Sequence, residues 1–142
     1  MYKFSTKSKE LLATCHPDIQ KVLWTAIQHF DFSVIHGFRG EKEQNELRKS
    51  GASKKAWPFS RHNKMVDGKP LSDAVDIAPF PIVWTNKLSF IYLAGAIVML
   101  SRVMKAEGEI ECELEAGADW NNNDIPDDEK FSDLGHLQRR LK

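Results

Sequence analysis

Apolar residues in the first thirty positions recur at helical spacing, broken once. Ser5 or Thr6 caps a first helix running through Leu11 and Leu12, and His16-Pro17 interrupts it, because the residue before proline avoids the α region. A second helix follows, with Asp18 near its start and Ile19, Val22, Leu23, Ile27 and Phe30 along one face. FSVIHGF, from Phe32 to Phe38, is rich in β formers and reads as a strand ending at Gly37. EKEQNELRKSG is a polar helix closed by Gly51. A loop of Gly, Ser, Lys and Pro then leads to DAVDIAPF, a strand terminated by Pro79 and Pro81. Asn86 to Lys105 predicts a long buried helix that stops at Gly108. EIECELEAG alternates as a strand, DWNNNDIPDDEKFSD is a polar loop, and LGHLQ is a short final strand. Helices grouped around a small, mostly antiparallel sheet define a single compact α+β domain.

Length and charge narrow the classes. At 142 residues the chain can bury a real core as one domain, residues 1–142. Twenty basic and twenty acidic residues cancel, so no global field exists to hold nucleic acid, and none is expected as a partner. RKSGASKK is a local basic stretch that reads first as a solvated loop. Cys15 and Cys112 lie far apart without metal-ligand spacing and read as thiols in a reducing compartment. MYKFSTKSKELL has no apolar core of a secretory signal. The longest apolar run, Phe90 to Leu100, is shorter than the roughly 20 residues a bilayer span needs, so stable membrane insertion is not expected.

One residue resists this bland picture. Asp76 sits between Val75 and Ile77 in AVDIAPF, where an uncompensated carboxylate is costly. A buried salt bridge to Arg61 or Arg39 is the ordinary explanation. A metal is the other. Of the five histidines, His16 reads as a turn residue, His29 as surface or half-buried, and His36 as a satisfied core histidine. His62 and His136 each lie beside a strand or loop end near carboxylates. A catalytic zinc takes three protein ligands from nitrogen and oxygen donors, and His62, Asp76 and His136 would supply such a set. Asp133, three residues before His136 in DLGH, is near enough to act without ligating.

SRH…PLSDAVDIAPFP, followed by GADW…FSDLGHLQ, resembles the zinc D-Ala-D-Ala carboxypeptidase and L-alanyl-D-glutamate endopeptidase family, its phage endolysins above all. Ser60-Arg61-His62, Ala74-Val75-Asp76 and Asp133-Leu134-Gly135-His136 match that family's Ser-x-His, Ala-x-Asp and Asp/Glu-x-x-His pattern. LLATCHPDIQKVLWTAI and DFSVIHGFRGEKEQNELRKSGAS resemble its leading helices, first strand and Gly-x-Arg…Gln segment, so nearly the whole chain is covered and the resemblance implies no separate cell-wall-binding domain. The resemblance implies a Hedgehog/DD-peptidase-like fold with Zn²⁺ on His62, Asp76 and His136, and Asp133 as general base. It implies that Arg39 polarises the scissile carbonyl or holds a substrate carboxylate, and that Ser60 orients the site or binds substrate. FRGEKEQ equally fits a solvated helix start with an ordinary salt bridge. Two departures stand out: the loop from Asn63 to Ser72 is longer than the compact form, and Leu137 stands where an aromatic often follows the histidine.

Calcium is a secondary reading. Asp119, Asn121, Asn123 and Asp127 alternate as in calcium loops, but Lys130 replaces the bidentate glutamate and no glycine holds the sixth position. The expected function is zinc-dependent hydrolysis of the L-alanyl-D-glutamate bond in the peptidoglycan stem peptide. The alternatives are a D-Ala-D-Ala carboxypeptidase, or a non-catalytic zinc- or wall-binding module of the same fold; a structural virion protein would make the motif coincidental. The resemblance implies a monomer made in the host bacterial cytoplasm that reaches the periplasm and cell wall at lysis.

Overall fold

Local caps start the first two helices. The Ser5 hydroxyl accepts the Ser8 N–H and opens α1 (Thr6–Leu12). His16 Nδ1 accepts the Asp18 N–H at 3.0 Å and opens α2 (Pro17–Ala26), with Pro17 at the first helical position, where no N–H is needed. His16 is therefore a helix cap rather than a plain turn residue. The structure, a computed structural model, describes residues 1–128 and 133–141. Its further elements are β1 (Phe32–His36), α3 (Glu41–Ser50), β2 (Met65–Val66), β3 (Lys69–Pro70), β4 (Ala74–Pro79), α4 (Lys87–Ala106), β5 (Leu114–Ala116) and β6 (His136–Arg139). Single 3₁₀ turns occur at Arg61–Asn63 and Pro126–Asp128.

The main sheet runs β1-β4-β6-β5 with every pairing antiparallel. Phe32, Val34, Val75, Ile77 and Leu137 point from it into one core with Leu12, Ile19 and Leu23 of the first helices and Leu93 and Ile97 of α4. This is the α+β arrangement that the sequence predicts, and its second face is left free for chemistry.

Three elements depart from expectation. The stretch from Asn63 to Ser72 is not an open loop but carries the β2–β3 hairpin, turned by Asp67 and Gly68 with φ of 52° and 75°. An Asp-Gly pair is the local signal for such a turn. All of the hairpin's strand residues are exposed. β5 keeps only three residues, because the Glu111 and Cys112 N–H groups are drawn to the Asp18 carboxylate instead of a ladder. α4 is not buried all round. Its 20 residues meet the length and composition of a membrane span, and Phe90, Leu93, Ile97 and Met104 bury one face in the core. Leu88, Tyr92, Met99 and Val103 face outward.

Candidate metal centre

Sheet register builds most of the site. Asp76 on the central β4 is paired with His136 of β6 on one side and with His36 of β1 on the other. Three adjacent strands thus carry a row of titratable side chains on the face opposite the core. Leu137, one step from His136, is fully buried in that core, since neighbours on a strand point to opposite faces. It forms no pocket wall. Trp120 takes that place, with its ring centroid 5.4 Å from that of His136.

His36 reaches the row through an irregularity. Val34 pairs with Ile77 and His36 with the very next residue, Asp76, so β1 holds an extra residue at this point. That bulge reverses the facing of the strand end. Without it His36 would share the face of Val34 and lie in the core, which is what strict alternation predicts. Instead its Nδ1 lies 3.1 Å from Asp76 Oδ2.

His62 arrives from the 3₁₀ turn. The Ser60 hydroxyl accepts the His62 N–H at 3.2 Å and Asn63 Oδ1 accepts the Ser60 N–H at 3.0 Å, a reciprocal cap that fixes the turn. The Arg39 N–H donates to the His62 carbonyl at 2.9 Å, tying the turn to the end of β1.

The ring nitrogens are sorted by their outer partners. His62 Nδ1 lies 2.8 Å from the Gly37 carbonyl, so it carries the proton and donates there. Gln138 donates its amide N–H to Glu115 at 2.7 Å, which turns its Oε1 toward His136 Nε2 at 2.9 Å. His136 Nε2 therefore carries the proton on that ring. What remains is His62 Nε2, His136 Nδ1 and Asp76 Oδ1, three lone-pair atoms facing one another. Their separations are 3.3, 3.4 and 3.2 Å. Tetrahedral zinc with bonds of about 2.0–2.1 Å places its ligand atoms about 3.3–3.4 Å apart. Converging acceptors at that spacing fit a divalent cation, and the outer hydrogen bonds are the kind that orient metal-bound imidazoles. Among the described residues this is the one such group of His, Cys, Asp and Glu.

Charge supports the same arrangement. Burial opposes ionisation of Asp76, but His62, His136 and His36 outweigh it and hold the carboxyl well below its ordinary range. Burial lowers the His62 pKa and keeps the ring neutral, as a ligand requires. In His136 burial acts the same way, yet the adjacent Asp76 carboxylate prevails and raises its pKa, which marks the space between them as one that favours positive charge. Partial burial and the nearby Asp76 charge push the Asp133 carboxyl up from its ordinary value.

Asp133 Oδ2 lies 3.9 Å from His136 Nδ1, beside the three ligand atoms and separate from them. Its position depends on Gly117, whose N–H donates to the His136 carbonyl and whose carbonyl accepts the Asp133 N–H. A Cβ on Gly117 would collide with the Asp133 carbonyl and side chain.

Arg39 does form the ion pair that the ordinary explanation of Asp76 required, with Nη2 2.6 Å from Oδ2. That pairing uses the outer carboxylate oxygen, while Oδ1 faces the His62 and His136 imidazoles. The salt bridge on one oxygen leaves the other free to face a cation. Arg39 Nε and the Trp120 indole N–H are buried without an acceptor among the described residues. Arg61 is not a partner of Asp76; it donates to the Arg139 carbonyl at 3.3 Å.

Calcium finds no support in the acidic loop. The Asp119 carboxylate accepts the Asn123 and Asp124 N–H groups, and the Asn121 and Asn123 side-chain oxygens also accept backbone N–H groups. Asp127 joins no converging group, and Glu129 and Lys130 lie outside the described residues.

Two cavities flank the ligand atoms and meet at Arg39, Ala52 and Asp133. One, of about 330 Å³, is lined by Ile35, Leu47, Trp84, Phe90 and Leu134. The other, of about 280 Å³, is lined by Lys54, Lys55, Arg61, Trp120 and Gln138. Sequence reasoning missed His36, Gln138 and Trp120. Gln138 was within reach, since it lies two residues from His136 on the same strand face.

Known proteins are similar to this chain in sequence and in fold. The L-alanyl-D-glutamate peptidase of Escherichia phage T5 is 29% identical over 145 residues, covering 96% of this chain and 97% of that protein. The crystal structure of a Serratia marcescens L-Ala D-Glu endopeptidase superposes with a TM-score of 0.70 at 24% identity, over 97% of this chain and 90% of that one, which establishes the shared fold. The family model of the phage L-alanyl-D-glutamate peptidases matches residues 1–139, taking in both imidazoles, Asp76 and Asp133, and with that match the chain belongs to this family.

Proposed function

We propose that this protein is a zinc-dependent peptidoglycan peptidase of the phage endolysin type, hydrolysing the L-alanyl-D-glutamate bond of the wall stem peptide. The observation that carries the reading is the convergence of His62 Nε2, His136 Nδ1 and Asp76 Oδ1, with the Asp133 carboxylate beside them. These three residues would hold Zn²⁺, which when bound supplies a Lewis acid for the scissile carbonyl and lowers the pKa of water.

The chain's own groups do the rest. Asp133 accepts the proton of the attacking water and returns it to the leaving amine, a role favoured by its raised pKa. Arg39, anchored on Asp76 Oδ2, presents a buried guanidinium whose Nε has no acceptor among the described residues, and donates to the carbonyl oxygen as it gains charge. Ser60 acts through His62, whose turn it caps. A metal-binding module without catalysis would not need Asp133. Residues 1–142 are read as one monomeric catalytic domain, released from the host cytoplasm to the wall at lysis.

Mass spectrometry of purified peptidoglycan digested by the zinc-loaded protein tests this directly. New L-alanine carboxyl and D-glutamate amino termini are expected. Release of terminal D-alanine alone would replace the endopeptidase by a carboxypeptidase, and glycan termini alone would end the peptidase reading.

A further inference from the structure

The two cavities beside the ligand atoms differ in chemistry. Beyond the charged row at its base, where His36, Arg39, Asp76 and Asp133 reach it, the Trp84 side is walled by the apolar Ile35, Leu47, Phe90 and Leu134, and Trp84 stacks on Phe90 with ring centroids 5.7 Å apart. The opposite side carries Lys54, Lys55 and Arg61. Among the described residues neither Lys55 nor Arg61 forms an ion pair, and the Trp120 indole N–H there is buried without an acceptor. Cations and an orphan donor around one cavity ask for a carboxylate. An L-alanyl-D-glutamate bond in a γ-linked stem peptide has the same asymmetry: its acyl residue carries only a methyl side chain, while its amine residue bears the free α-carboxylate of glutamate.

We propose, resting on the peptidase reading above, that the cleft binds its substrate in one direction. The alanyl side lies in the apolar cavity under Trp84, and the free carboxylate of the leaving D-glutamate lies against Lys55, Arg61 and the Trp120 N–H. The basic stretch RKSGASKK then serves recognition through Lys55 at its end. Asp133 and Arg39 stand where the cavities meet, so the scissile bond crosses between them. Amidation of that carboxylate removes the charge this side is built to receive.

Two synthetic peptides test the assignment, one with L-alanyl-D-glutamate and one with its α-carboxylate amidated. The zinc-loaded protein should cleave the free acid with a KM about tenfold lower, as expected for a charge-assisted contact. Lys55→Gln and Arg61→Gln should raise KM for the free acid, leave kcat nearly unchanged and erase the preference. Calorimetry should show the amine-side product binding more weakly to both variants. Trp84→Ala should raise KM for both peptides equally and preserve the preference. Equal KM values in the unmodified protein, or an intact preference in both cation variants, would overturn the direction while leaving the peptidase reading in place. No cleavage of either peptide would overturn that reading, and this inference with it. Lys55 is exposed, so its variant remains folded and decides the matter if Arg61→Gln does not fold.

Discussion

Two buried charged clusters lie on this small sheet, and they are built on opposite principles. In the first, Arg139 donates through Nε to Asp18 and through Nη1 to Asp73, both at 3.1 Å. Asp18 also accepts the N–H groups of Glu111 and Cys112, and Lys64 lies 3.2 Å from Asp73. Two carboxylates meet two cations, and donors face acceptors. In the second, His62, Asp76 and His136 turn acceptor to acceptor, with their protons committed outward to Gly37 and Gln138. The first cluster is complete within the protein. The second becomes favourable only with a cation among its lone pairs. Burial of charge alone does not mark a functional site; the direction in which lone pairs point does.

The largest expected effect breaks the second cluster. Chelation should abolish hydrolysis and added Zn²⁺ restore it, with about one zinc per chain in the active protein. His136→Ala should lose both metal and turnover. Elemental analysis finding no transition metal in active protein would dissolve the contrast between the clusters.

Asp133→Asn comes next. It keeps size and removes the basic carboxylate, so kcat should fall by about 10²–10⁴-fold while zinc content and melting temperature barely change. Near-normal turnover would take Asp133 out of the mechanism, and loss of zinc would make it a ligand.

Arg139→Met attacks the first cluster instead. Arg139, Asp18 and Asp73 are all at least nine-tenths buried, so stranding two carboxylates should cost about 3–5 kcal/mol in urea unfolding. Zinc stoichiometry in the protein that remains folded should be unchanged. A stability loss below about 1 kcal/mol would show that the cluster is not buried as described.

Gln138→Leu probes the outer shell of the metal centre. It frees the His136 ring while leaving all three ligands, and should weaken zinc binding by about 10–100-fold in a chelator competition. Unchanged affinity would mean that the strand alone orients the ring.

The smallest effect is the acid dependence of the first cluster. Burial opposes the Asp18 charge, but the Glu111 and Cys112 N–H groups and Arg139 outweigh it and hold the carboxyl below its ordinary value. A lowered folded pKa means stability that is fully present above the unfolded value of about 3.9 and is lost as pH falls through the folded one. Unfolding free energy should therefore drop below about pH 4, and Asp18→Asn should flatten that slope. An identical slope in the variant would assign the acid sensitivity elsewhere.

Much of this was legible in the chain, because local chemistry dictates it. Proline at 17, the αL glycine at 51 and the Asn86 cap set helix ends within reach of each residue's own backbone. The alternation of Val75, Asp76 and Ile77 put the carboxylate on the face opposite the core, and the spaced motifs named His62, His136 and Asp133. Asp67-Gly68 also signals its hairpin locally, by the positive φ that such a turn requires. Other features depend on pairings between distant segments, which carry no local period. An extra residue in β1 moves His36 from core to site, and only alignment against β4 reveals it. Arg39 chooses Asp76 Oδ2 rather than solvent because β1 and the His62 turn are tied together. One face of α4 stays outward because the sheet can cover only the other. The sequence by itself determined most of the elements and which residues could ligate a metal, since both follow from side-chain type and short spacing. The tertiary structure alone decided which lone pairs converge and which face each residue takes, since a single-residue shift in register reverses every side chain beyond it.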